Sequence, residues 1–196
     1  MYGRYDTDTA YDIRWQTGTS NKITLAINGA FKDNSSTFTP NQWNHFAITI
    51  NSDATITYVN GIATNTTSGV TIGTNAVETN SIGFHGLSSN YFNGQMANFG
   101  IWNKALSGTD ISAIHKAGRH SNLLDSYSDN LVGYYAFGAL DAITGLADTN
   151  STIYDRSGNG NHGTPSGTAS GDLKSPPNAE PEGYDIESTT RKTTIP

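Results

Sequence analysis

Apolar and polar positions alternate with a period of two through the first part of the chain. Tyr11, Ile13 and Trp15 fall on one side of a short run, and Ile23, Leu25 and Ile27 fall on one side of the next. A third run, opened by Trp43, alternates Phe46, Ile48 and Ile50 with Ala47 and Thr49. Successive side chains of a strand point to opposite faces, so each run predicts a half-buried strand. A fourth alternating run, residues 55–59, ends at Asn60-Gly61. An Asn-Gly pair between alternating runs predicts a two-residue hairpin, because both central residues of a type I′ turn need positive φ. Asn28-Gly29, Asn93-Gly94 and the polar cluster at 34–36 mark further turns.

One segment changes period. Ser107 followed by Asp110 has the spacing of a capping box, with Leu106 and Ile111 placed as a hydrophobic staple. Ile111 and Ile114 share a face, His115 and Lys116 sit near the negative end, and Gly118 stops the helix. Beyond it, LVGYYAFG at 131–138 reads as another strand, and YDRSGNGNHGT at 154–164 as a glycine-rich loop. From Gly171 the chain is proline-rich and almost without apolar residues, which predicts an extended tail.

Composition narrows the class. Only 35% of the 196 residues are hydrophobic and 14% charged, with 21 Gly and abundant Thr, Asn and Ser. That suits a turn-dense all-β chain of one core. The absence of cysteine excludes a disulfide framework, a thiolate metal site and a cysteine nucleophile. A net charge of -6 with 11 scattered basic residues argues against a nucleic-acid partner. No apolar run follows the first basic residue and no window approaches a membrane span, so a soluble protein without a membrane partner is expected.

Trp43, His45, Tyr58, Asn60, Gly61, Ile82, Gly83, Phe92, Gly94, Met96, Ile101, Ala105, Leu106 and Ser107 together form a Trp-x-His strand, a Tyr-Val-Asn-Gly hairpin, an Ile-Gly strand and a Phe-x-Gly strand closing on Ala-Leu-Ser. This succession resembles the laminin-G-like, or concanavalin-A-like, jelly roll. The resemblance implies an all-β, two-sheet antiparallel sandwich with one short helix and an extended C-terminal tail. Residues 131–164 resemble the opening strand and loop of the same family, displaced behind the rest, while the strands expected before Tyr11 are absent. The expected division is a sandwich over 1–125 lacking its usual opening strands, an accessory or fold-back motif over 126–170, and a tail over 171–196. A fold-back, a truncated tandem repeat and an accessory hairpin all fit the second motif. The fold-back is favoured because Leu131, Tyr135 and Phe137 need burial and a lone hairpin is marginal.

The architecture also hosts glucanases, which need two or three carboxylates close together across one sheet. The four glutamates here are Glu78, Glu180, Glu182 and Glu187; three lie in the tail and Glu78 has no carboxylate two residues away. Nor does a strained nucleophile turn accompany any serine. The expectation is therefore a protein that is not an enzyme. Sugar recognition needs aromatic faces beside amides, and His85, Asn90 and Tyr91, around the loop at 86–91, are the carbohydrate-binding candidates. His45 is expected to make a structural hydrogen bond. No cofactor is required; calcium is the one considered, with Asp155, Asn159 and Asn161 as weak candidate ligands. The competing reading is a turn in which Asp155 bonds its own backbone.

Laminin-G-like domains of this spare composition resemble those of bacteriophage virion proteins. The resemblance implies a non-enzymatic virion structural or surface protein, a capsid decoration or fibre module, binding host-surface glycans. The alternative is a glycan-binding or adhesion module of a bacterial cell-surface protein, hence extracellular. Other virion proteins or copies of the chain itself are the expected partners, in a homo-oligomer, with Tyr184 and Ile186 of the tail as assembly contacts.

Overall fold

The computed structural model describes residues 2–4, 11–16, 21–27, 30–33, 36–68, 80–85, 90–92, 94–119, 121–137, 148–149 and 151–166. The predicted tail, with Tyr184 and Ile186, lies outside the described residues, as do the turns at 28–29 and 34–35. The chain groups into two units: residues 1–95 with 104–115, and residues 96–103 with 116–196.

The first unit holds two main antiparallel sheets. Strands β1 (Tyr2–Arg4), β2 (Tyr11–Gln16), β3 (Lys22–Ile27) and β4 (Ala30–Asp33) form one sheet with β8 (Asn80–Ile82), in the order β4-β3-β2-β1-β8. A strand therefore does precede Tyr11, contrary to the sequence expectation. Three residues are too few to display a period, and β1 is identified by its pairing with both β2 and β8. The second sheet is β5 (Phe46–Ile50), β6 (Ala54–Val59) and β7 (Ile62–Ser68). Phe38 meets Phe46 edge to face at 5.6 Å, and the Ser36 hydroxyl bonds that of Thr64 at 2.8 Å. A short hairpin of β9 (Phe84–His85) and β10 (Asn90–Tyr91) completes the strands of this unit that are described.

Local chemistry sets these elements as the sequence predicts. Asn60 and Gly61 take φ of 50° and 74°, the left-handed pair that a type I′ turn demands. The turn is anchored on His45, whose N–H donates to Asn60 Oδ1 at 2.8 Å and whose carbonyl accepts from Asn60 N–H at 2.8 Å. These bonds engage the backbone before Phe46, so β5 starts there and not at Trp43. The alternation gives only part of the burial. Thr55, Thr57 and Val59 are buried on one face of β6, but so is Tyr58 on the other, because a central strand is covered on both sides.

Helix α1 (Gly108–Ala117) begins at the predicted capping box. Ser107 Oγ accepts from Asp110 N–H at 3.1 Å, and Ser107 N–H donates to Asp110 Oδ2 at 3.1 Å. Ile111 is buried, and Gly118, at φ 79°, follows the last helical residue.

In the second unit, β11 (Phe99–Trp102) pairs antiparallel with β12 (Leu131–Tyr135). The displaced motif is thus a paired strand. Its buried residues are Leu131, Tyr134 and Ala136, whereas Tyr135 and Phe137, which the sequence suggested for burial, are only half-buried. Tyr134 is fully enclosed, and its hydroxyl is satisfied by Asn98 Oδ1 at 3.0 Å, the Ser121 carbonyl at 3.2 Å and Leu123 N–H at 3.4 Å. Burial above all pushes the Tyr134 phenol up to about 12. Asn98 holds φ of 51° and also donates to the Ser121 carbonyl at 2.8 Å.

Candidate functional site

The face of β5 and β6 that carries Thr49, Ile56 and Tyr58 is overlain by the segment from Lys104 to Asp110. Register fixes the floor: Thr49 pairs with Ile56 and Ala47 with Tyr58, so these residues point the same way. Asn51 closes one end, its Oδ1 taken up by Asp53 N–H at 2.8 Å and Ala54 N–H at 2.7 Å. Between floor and segment lies a groove of about 360 Å³. Its floor is amphipathic, with the aliphatic Ile56 between two hydroxyl-bearing residues. Its rim holds one charge of each sign, Lys104 and Asp110. Bonds from the Ser107 hydroxyl and N–H, helped by Lys104, hold the Asp110 carboxyl below the usual carboxylate range.

The three carbohydrate-binding candidates fall on the β9–β10 hairpin, where His85 pairs with Asn90 and Phe84 with Tyr91. The backbone therefore brings His85 and Asn90 opposite one another. Their side chains and the loop at 86–89 lie outside the described residues.

Asp155, Asn159 and Asn161 do converge, but on protein. Asp155 Oδ1 accepts from Tyr134 N–H and Ser157 N–H, each at 2.9 Å, and Oδ2 accepts from Asn161 N–H at 2.9 Å. Asn159 and Asn161 donate their amides to the Leu131 and Val132 carbonyls at 3.0 and 2.8 Å. Burial alone would raise the Asp155 pKa; the bonds from Ser157, Tyr134 and Asn161 outweigh it and hold the carboxyl below its ordinary value. A calcium ion would have to displace these donors from a carboxylate that is 3% exposed. The residues do not fit a calcium site; they clasp the free edge of β12. Asp148 faces Arg156 at 3.6 Å in the same loop, both buried. Among the described residues no three His, Asp or Glu side chains could share a metal ion.

Among the described residues His45 does not make the side-chain bond expected of it. Its Nδ1 is buried without a partner, and its ring lies 5.5 Å from that of His115. The structural bonds of His45 are made by its main chain. No signal in the sequence singled out Thr49 or Lys104 as groove residues; Thr49 occupies the non-apolar half of an alternating strand, and only the return of the 104–110 segment places it in a groove.

These observations define an antiparallel β protein of the jelly-roll class, with one capped helix beside a groove on the second sheet. The chain belongs to the concanavalin A-like lectin/glucanases superfamily, whose laminin-G family model matches residues 2–112. The superfamily name spans lectins, which bind sugars, and glucanases, which cleave them. No curated protein and no solved structure matches the chain.

Proposed function

We propose that the protein is a non-catalytic glycan-binding module carried on a virion surface, assembled with other virion proteins or with copies of itself. The fold is compatible with carbohydrate binding. The observation that supports the lectin reading over the glucanase reading is that three of the described carboxylates are already engaged. Asp110 is committed to the helix cap, Asp155 to three main-chain donors, and Asp148 faces Arg156. Cleavage by the usual route needs a proton-donating acid and a second carboxylate about 5–9 Å away, both open to substrate. Glu78 stands without a neighbouring acid in sequence. The virion setting rests on the resemblance of this Thr-, Asn- and Gly-rich, cysteine-free domain to the laminin-G-like domains of bacteriophage virion proteins.

The test is to incubate the full chain with a panel of bacterial surface polysaccharides, measuring binding and release of reducing ends together, and to search purified phage particles for the chain by mass spectrometry. Binding without release, and presence in particles, is the expected result. Release of reducing ends that disappears in Glu78→Gln would overturn the non-catalytic reading.

A further inference from the structure

The groove over β5 and β6 contains two hydroxyls that bond no other group among the described residues. Thr49 is 8% exposed and Tyr58 4%, and both line the groove. Among the described residues neither hydroxyl has a hydrogen-bond partner, and neither oxygen is fully enclosed. Both oxygens open onto the groove, where a ligand hydroxyl could bond them in place of water. Two such groups on one sheet face, with Ile56 in register between them, leave a surface that alternates hydroxyl and hydrocarbon. Ala105 and Leu106 add apolar surface from the overlying segment.

A sugar ring has the complementary character, with C–H faces and a girdle of hydroxyls that both donate and accept. The rim selects among sugars by charge. An anionic ring would be attracted by Lys104 but repelled by Asp110, and a cationic one the reverse, so neither gains net Coulomb energy. The volume of about 360 Å³ is at the lower end of small-molecule sites. We propose that this groove is a subsite for one neutral sugar ring, with the Thr49 and Tyr58 hydroxyls bonding its hydroxyls and Ile56 packing on its C–H face. The proposal rests on the glycan-binding reading above and names the site and ligand class for it.

The probes are the methyl glycosides of glucose, galactose, mannose and N-acetylglucosamine, with methyl glucuronide as the charged control, followed by saturation-transfer NMR on the full chain. At least one neutral glycoside should bind, with an affinity that changes less than about twofold between roughly 50 and 500 mM salt, as expected without ion pairing. Thr49→Val keeps the shape of the floor and deletes its hydroxyl. In Gly108→Ala the new Cβ would rest 3.5 Å from the Tyr58 oxygen, an ordinary contact that narrows the groove. Each should weaken binding at least roughly fivefold in a chain whose Tm does not fall, Thr49→Val because a site built for a hydroxyl loses when the pair is broken and Gly108→Ala by crowding the Tyr58 hydroxyl. Tyr91→Ala, on the β9–β10 hairpin, should bind as the unaltered chain does. Binding that survives both groove variants and is lost in Tyr91→Ala overturns the site while leaving the glycan reading intact. Preference for the glucuronide, falling with salt, overturns the neutral class. If none of the glycosides binds, the subsite and the glycan reading fall together.

Discussion

Acid should destabilise this protein through His45 well before its carboxylates protonate. The ring is held between the Asn60-Gly61 turn, which bonds its main chain, and His115 of α1, 5.5 Å away. Burial first, and the neighbouring His115 second, lower its pKa from 6.5 to about 4. In the unfolded chain the same imidazole takes a proton as pH falls through about 6.5. Between the two values the unfolded state binds more protons, so stability declines as pH drops. The contribution is fully present above 6.5 and is lost progressively down to about 4. That gap corresponds to roughly 3 kcal/mol when complete, and to about 2 kcal/mol at pH 5, on the order of a quarter of a typical domain's stability. The assay is urea denaturation at pH 7.5 and pH 5, for the unaltered chain and for His45→Gln. The unaltered chain should lose about 2 kcal/mol more than the variant over that interval, and His115→Gln should fall between them. Equal losses in the unaltered chain and His45→Gln would refute the reasoning, whatever the absolute stability of the variant.

Tyr134→Phe removes a hydroxyl that answers Asn98, the Ser121 carbonyl and Leu123 N–H, and should cost about 1–3 kcal/mol in denaturant titration. Gly61→Ala forces an L side chain to φ 74° and sets its Cβ 2.9 Å from the His115 ring; the loss should exceed the roughly 1–2 kcal/mol of the backbone strain alone. Asp155→Ala should cost more than about 2 kcal/mol by orphaning three N–H groups, whereas adding calcium or a chelator should leave Tm unmoved. Since the folded pKa of Asp155 is depressed, its contribution is present above the unfolded value near 3.9 and is lost as pH falls below it. Deleting residues 171–196, with the apolar pair Tyr184 and Ile186, should preserve Tm and abolish incorporation into oligomers or particles, read by sedimentation and by particle composition; unchanged incorporation would remove the assembly role proposed for the tail.

What the sequence determined by itself is whatever a few neighbouring residues decide. The Asn60-Gly61 turn follows from the freedom of those two residues at positive φ, and the start of α1 from a hydroxyl and a carboxylate three positions apart. The ordered succession from Trp43 to Ser107 was enough to identify the jelly-roll family. Tertiary structure decided the rest. No local rule could say that β12 would pair with β11, that Tyr134 would be enclosed in place of Tyr135, or that Asn159 and Asn161 would spend their amides on β12 carbonyls. The groove is the clearest case, because Thr49, Tyr58 and Lys104 are far apart in sequence and unremarkable singly. Period-two alternation tells which side of a strand a residue occupies, but what covers that side depends on contacts between distant segments. Only when the 104–110 segment returns over β5 and β6 do two ordinary hydroxyls come to line one groove.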